Sequence, residues 1–222
     1  MKRKMMKLKT LAVCSLLLLP SLCTAQTCCK SSDSKQKTKS CCEMNNAVIE
    51  TIMARRSVRK YLDKPVEHEK LALIAKCGIY APNAMNQQPW AVRVVENKDF
   101  INGTTEVFKK EKPEQVKRDA NFKNMYRNAP NIIVVATPKG RGQVDAGLLG
   151  ENMMLAAKSL GLGTCCLGSP AAFLQSSEAC KPYIAKLNLP DGYEICYVLA
   201  VGYPDETPQA KPRDESKIEF IK

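Results

Sequence analysis

The segment from Val144 to Leu160 constrains this chain most, because its apolar residues do not keep to one face. Leu148, Leu149, Met153, Met154, Leu155 and Ala157 spread round most of the circumference of a helix. A helix of that kind has to be buried on nearly every side. At 222 residues the chain has the length of one domain with a sizeable core, so in a chain this short the pattern predicts burial at a subunit interface. The apolar fraction of 45% excludes a disordered chain, a collagen-like repeat and a disulfide-stapled miniprotein.

Around that segment the folded body, about residues 46–222, alternates helical and strand patterns. Helices are expected at Ala47–Ala54, at Glu67–Ile79 with Leu71, Ile74, Ala75 and Gly78 on one face, and at Ala171–Leu187. Strands are expected at Trp90–Val95, at the wholly apolar and therefore central Asn131–Ala136, and at Ile195–Gly202. Thr164–Gly168 reads as a short apolar turn or strand, and Asn83–Asn86 as a polar loop. Phe100–Asn128 is polar and charged and reads as short surface helices. The fold class is α+β, with few strands and many helices and no solenoid-like repeat.

The formal net charge of +12 invites a nucleic-acid reading, but part of it lies in the first 25 residues. Lys2, Arg3, Lys4, Lys7 and Lys9 precede an apolar stretch, Leu11–Leu19, and then small residues, which is the pattern of a secretory signal peptide and too short for a membrane span. Cys23-Thr24-Ala25 places cleavage after Ala25; lipoprotein processing at Cys23 is the weaker rival, because Leu22 is bulky for that position. Loss of those five cations leaves +7. With no aromatic-interleaved basic stripe, RNA-binding signature or helix-turn-helix pattern, no nucleic-acid partner is expected. The expected location is outside the cytosol, in the periplasm, with no transmembrane helix after cleavage.

Residues 26–45 are Ser, Lys and Thr with almost no large apolar side chain, and read as a flexible tether. Cys28-Cys29 and Cys41-Cys42 form two pairs there. Their thiolates suit a thiophilic ion, but the spacing matches no zinc motif, and disulfide pairing in an exported tail is the better reading. Cys77, Cys165, Cys166, Cys180 and Cys196 lie in apolar segments and read as small packed side chains. No metal site is assigned. His68, in the run Glu67-His68-Glu69, reads as a surface residue.

Three segments carry chemistry. Arg55-Arg56-Ser57-Val58-Arg59 puts three guanidiniums and a hydroxyl within five residues, an anion site or simply a basic helix C-terminus. Ala81–Trp90 sets two asparagines and two glutamines between prolines, a stiffened loop of amides suited to the edge of a heteroaromatic ring, or an ordinary polar turn. Lys211-Pro212-Arg213 follows Gly202-Tyr203-Pro204 and adds two further cations.

In this order and at these separations, RRSVRKY at 55–61, APNAMNQQPW at 81–90, DAGLLGENMMLAAKSLGLGTCCLGSP at 145–170 and VGYPDETPQAKPR at 201–213 resemble the nitroreductase family of flavoproteins. The resemblance covers the body from about Ala47 to Lys222. It implies a central, mainly antiparallel sheet flanked by helices, an intertwined homodimer, and non-covalent FMN in each of two clefts between the subunits. Arg55, Ser57 and Arg59, with Arg56 beside them, would hold the phosphate and ribityl chain, joined by Lys211 and Arg213. Pro82, Asn83, Ala84 and Asn86 would face the flavin from the other subunit, and the backbone around Leu167 and Gly168 would approach the ring. A nearly dianionic phosphate calls for several cations, and Gly163 and Gly168 let main chain come close to a flat ring.

The implied activity is a ping-pong oxidoreduction: hydride from a reduced donor, NAD(P)H in the family, to the flavin, then electrons to a nitroaromatic, quinone or similar acceptor. No protein nucleophile is required, and no catalytic residue is assigned. Export removes the chain from cytosolic NAD(P)H, which leaves the donor open. The alternatives are related flavin chemistry, such as reductive dehalogenation or flavin fragmentation, and a non-enzymatic exported carrier whose Cys-Cys tail captures metal.

Overall fold

The computed structural model describes residues 46–222. The expected signal peptide, 1–25, and all of the tether, 26–45, lie outside the described residues.

Four strands make one antiparallel sheet: β1 (Ala91–Val95), β2 (Asn131–Pro138), β3 (Gly163–Leu167) and β4 (Tyr193–Gly202), in the order β1-β2-β4-β3. The continuous apolar run of β2 is buried from Asn131 to Thr137 and occupies the interior of the sheet, paired with Ala91–Val95 on one side and Tyr193–Val201 on the other. An irregularity between Val135 and Ala136 lets Ile195 and Tyr197 face successive residues of β2. β3 is a sheet edge, paired with β4 from Gly163↔Gly202 to Leu167↔Val198.

Helices cover both faces. On one lie α2 (His68–Ile79) and α5 (Gln143–Ser159), packed on Ile133, Val135, Tyr197, Leu199 and Val201 through Leu71, Ile74, Leu149 and Met153. The predicted face of α2 is the buried one at Leu71, Ile74 and Gly78, and Gly78 is required there because a Cβ would stand 2.6 Å from the Met153 Cγ. On the other face lie α3 (Lys98–Glu111), α6 (Gly168–Ser176) and α7 (Lys181–Ala185), over Ile132, Val134, Val198 and Ala200. The short α4 (Pro113–Val116) follows α3.

Two expectations are corrected. Phe100–Asn128 is not a set of short surface helices: α3 runs for 14 residues and buries Phe100, Ile101, Thr104 and Thr105. Two of its inward positions are threonines, which hide the periodicity; Thr104 is buried because its hydroxyl bonds back to the Phe100 carbonyl at 2.7 Å and meets the Tyr126 hydroxyl at 2.9 Å. Ala171–Leu187 is not one helix, since Ser177 is extended and its hydroxyl donates to Glu111 at 2.7 Å, and Pro182 then restarts the chain in the first turn of α7.

α1 (Ala47–Ala54) is capped by Asn46, whose side-chain oxygen accepts from the Val48 and Ile49 N–H groups at 3.0 and 3.2 Å. It buries no residue within the chain, leaving Val48, Ile49, Ile52 and Met53 exposed. α5 likewise is buried at Ala146, Leu149, Gly150, Met153 and Ala157 but leaves Val144 and Leu148 exposed. Among the described residues, no helix is long and apolar enough to cross a membrane.

The entry to α2 is tied to the end of β4. The Tyr203 hydroxyl donates to Glu67 at 2.6 Å, the Lys70 ammonium donates to that hydroxyl at 2.7 Å, and the Lys64 ammonium sits 4.2 Å from the Tyr203 ring centre. The Tyr203 hydrogen bond, with help from the Glu67 backbone N–H and from Lys70, holds the Glu67 carboxyl down at about 2. A depressed carboxyl contributes stability above its ordinary value near 4.5 and loses it as pH falls towards 2. Tyr203→Phe should therefore lower stability at pH 6 and flatten its fall between pH 4.5 and 2.5, read by urea unfolding across that range; an unchanged acid limb would refute the clamp.

Candidate functional site

The site is built on the free edge of β3. As α1 ends, Arg55 turns extended and the chain runs alongside β3, with the Val58 N–H donating to the Thr164 carbonyl at 2.9 Å and Ser57 bridging Thr164 in parallel. Val58 is buried against Gly163, where a Cβ would come within 2.8 Å of the Val58 Cβ. Gly163 thus permits the basic segment to lie flat on the sheet edge. Arg55, Arg56 and Ser57 remain partly accessible, and Arg59 is exposed.

A cleft of about 450 Å³ opens beside this segment, walled by Arg55, Arg56, Gly163, Thr164 and the stretch from Glu206 to Ala210. Lys158, at the end of α5, adds a third cation to its wall. The guanidiniums are held differently. Arg55 donates through Nε to Glu151 of α5 at 3.1 Å. Arg56 folds back onto the Met53 and Arg55 carbonyls, both at 2.6 Å. Arg59 donates from its backbone N–H to Glu206 and from its guanidinium to the Ser57 carbonyl at 3.1 Å.

The Cys165 thiol reports the field of this region. Burial pushes it up, while the guanidiniums of Arg59, Arg127 and Arg55 pull it down and Glu206 pushes it up again. Cys166 is raised to about 11, first by burial of its sulfur and then by Cys165 and Cys196. Cys165 is buried and fits a packed side chain, whereas Cys166 is exposed, because its position on the edge strand β3 faces out between buried neighbours. This corrects the expectation of a packed side chain at Cys166, and with both thiols raised neither has the depressed pKa of a nucleophile. His68 is an exposed surface residue, bonded to Glu96 at 2.8 Å and raised by it. Among the described residues, no group of three His, Cys, Asp or Glu side chains is placed to hold a metal.

The remaining expected residues fall into two sets. Leu167 ends β3, and Gly168 opens α6 with open space where its Cβ would stand, so main chain is accessible there. Lys211 and Arg213 are exposed and bonded to one another, the Arg213 guanidinium donating to the Lys211 carbonyl at 3.1 Å; the cleft wall ends just before them at Ala210. Pro82, Asn83, Ala84 and Asn86 line no part of this cleft. They form a loop closed by the Gln88 N–H donating to the Asn83 side chain at 2.7 Å, in which Met85, Asn86 and Gln88 all have positive φ. Three non-glycine residues in the left-handed region hold the loop in an outward-pointing shape that costs about 1 kcal/mol per residue.

Four charged groups of this region were not among the expected site residues: Lys158, Glu151, Glu206 and Arg127. Glu151 and Lys158 are seven apart on α5, the spacing that puts them on one face, and this was the one signal available in the sequence. Arg127 had none. It is presented by a turn in which Arg127 and Asn128 have positive φ, fixed by Asn128 accepting from the Lys123 and Asn124 N–H groups at 2.8 and 2.9 Å.

Residues 52–203 match the model of the Nitroreductase family. An NADPH-flavin oxidoreductase of Vibrio harveyi is 29% identical over 189 residues, covering 77% of this chain and 70% of that protein. An FMN reductase [NAD(P)H] of Bacillus subtilis is 28% identical over 187 residues, covering 76% of this chain and 70% of its own length. The crystal structure of a nitroreductase with bound FMN from Bacteroides fragilis superposes with a TM-score of 0.68 at 26% identity, covering 80% of this chain and all of that one.

Gly163→Ala should lower the stability of the protein by about 1–3 kcal/mol through overpacking against Val58. It should also loosen the basic segment, so that amide exchange of Val58 speeds up more than that of β2; equal exchange at both would refute the close approach.

Proposed function

The chain belongs to the nitroreductase family, and we propose on that premise that it is an FMN-dependent oxidoreductase taking electrons from a reduced donor of the NAD(P)H type and passing them to a small acceptor such as a nitroaromatic or quinone. The observation that carries the cofactor assignment is the cleft wall of Arg55, Arg56 and Lys158 beside a glycine-opened strand edge. Several cations facing one cavity suit a phosphate that is nearly dianionic at neutral pH. The residues present therefore fit the group.

When bound, FMN supplies the reversible hydride chemistry, and the protein supplies binding, orientation and electrostatics. Arg55, Arg56, Ser57 and Arg59 would hold the phosphate and ribityl end, with Lys211 and Arg213 joining them from the C-terminal segment, and the accessible main chain at Leu167 and Gly168 would approach the ring. No side chain of the cleft is assigned a covalent role, in keeping with the protonated thiols of Cys165 and Cys166.

The working unit is a homodimer. A largely apolar groove of about 500 Å³ runs between α1, α2 and α5, lined among others by Val48, Leu73, Tyr80 and Leu155. Beside it α1 leaves its apolar residues uncovered, and the C-terminal Ile218, Phe220 and Ile221 are 68–86% exposed. Uncovered apolar surface on this scale calls for a partner. A second copy supplies both the missing cover for α1 and α5 and the loop carrying Pro82, Asn83, Ala84 and Asn86, whose outward shape suits it to the other subunit's flavin. The basic, then apolar, first 25 residues support export of the chain, with the mature enzyme acting outside the cytosol.

The purified mature chain should show a flavin visible spectrum or acquire one on reconstitution with FMN, and NADH or NADPH should bleach it anaerobically. No flavin band and no FMN uptake would overturn the reading. Arg55→Ala and Arg213→Ala should each weaken FMN binding by about 1.5–3 kcal/mol, the scale of a charged hydrogen bond; unchanged affinity in both would refute the phosphate assignment. Ile52→Asp should convert the dimer to monomer in sedimentation and lower FMN affinity with it, whereas a monomeric unaltered protein would overturn the assembly.

A further inference from the structure

Arg55 is the cation of the cleft whose geometry is set from behind. It caps the C-terminus of α1, its backbone N–H donating to the Thr51 carbonyl at 2.9 Å, and α1 itself packs no buried residue into the chain. A long side chain on so lightly anchored an element would sample many rotamers. Among the described residues its one ion pair is to Glu151, through Nε at 3.1 Å. Glu151 stands on α5, between Leu149 and Met153, which are fully buried, and so is carried by one of the best packed elements of the structure.

The contact uses only the Nε side of the guanidinium. Among the described residues, neither terminal nitrogen of Arg55 donates to a protein acceptor. Arg55 lines the cleft and Glu151 does not, so the carboxylate stands behind the guanidinium rather than in the space an anion would occupy. Arg56 differs, because its guanidinium is already folded back onto two main-chain carbonyls. A guanidinium pinned at Nε keeps its two terminal N–H groups as a fork, the arrangement that meets two phosphate oxygens at once.

We infer that Glu151 is a positioning residue for the cofactor's phosphate: it fixes Arg55 through Nε and so turns the free fork into the cleft. The inference rests on the FMN reading above and adds to it a residue that touches no cofactor. Two opposing effects of Glu151 separate cleanly. As an anchor it strengthens phosphate binding, and as a nearby negative charge it weakens it. In the single chain its side chain is 42% exposed, so solvent screens the repulsion while the hydrogen bond's geometry persists. Anchoring therefore dominates.

The test is the affinity of the unaltered dimer and of Glu151→Ala and Glu151→Gln for FMN and for riboflavin, which lacks the phosphate, by flavin fluorescence titration. Glu151→Ala should raise the FMN dissociation constant about tenfold, in the range of lost supporting contacts, and leave that for riboflavin within about twofold. Glu151→Gln retains an acceptor for Nε–H without the charge and should bind FMN within about threefold of the unaltered protein. In an Arg55→Ala background, Glu151→Ala should have no further effect. Unchanged or tighter FMN binding by Glu151→Ala, or equal losses for FMN and riboflavin, would overturn the inference alone. Failure of the unaltered protein to bind FMN would overturn the flavin reading, and this inference with it.

Discussion

The structure depends on a single dry strand. β2 is buried from Asn131 to Thr137, and a strand with no wet face has to be covered on both sides. That requirement produces the two helical layers, α2 and α5 on one face and α3, α6 and α7 on the other, and with them two separate cores. It also settles where chemistry can go. Among the described residues the buried interior of the sheet carries no charged side chain, and the charged cleft forms at an edge, β3, where residues 55–59 lie alongside.

The addition of residues 55–59 to that edge is a small contact with large consequences. One main-chain hydrogen bond and one buried valine against Gly163 bring Arg55 and Arg56 to the wall of a cavity whose other sides come from α5 and from the turn after β4, and leave Arg59 exposed beside it. The cations are then sorted by partners of different kinds: a carboxylate for Arg55, main-chain carbonyls for Arg56, and Glu206 with the Ser57 carbonyl for Arg59. The same logic appears just past the end of β4, where Tyr203, Glu67 and Lys70 fasten α2 to β4. In both places polar side chains fix the ends of elements whose middles are held by apolar packing.

Much of this was legible residue by residue. The α1 limits, Ala47–Ala54, and the buried face of α2 followed from spacing alone, and β2 and β4 from apolar runs. The basic segment and the glycines around β3 were also visible in the sequence. α3 was not, because Thr104 and Thr105 are buried by local hydrogen bonding that no hydrophobic pattern records. The break at Ser177 was hidden too, since it depends on Glu111 from a distant helix. Arg127 and Glu206 reach the Cys165 region only through turns that bring remote parts of the chain together.

By itself the sequence determined most of the helices and strands, which strand must be central, and that a basic cluster and an amide-rich loop are present, because these depend on local periodicity and on side-chain type. It determined the family as well, through the order and separation of four motifs. Only the tertiary structure decided that Arg55 is held by Glu151 while Arg56, on the same cleft wall, is bonded back to main-chain carbonyls, and that the amide loop lines no part of the cleft. Those outcomes depend on which element ends up beside which. α5 carries its glutamate to Arg55 because both pack at the same edge of the sheet, a relation between residues 96 positions apart that no local pattern contains.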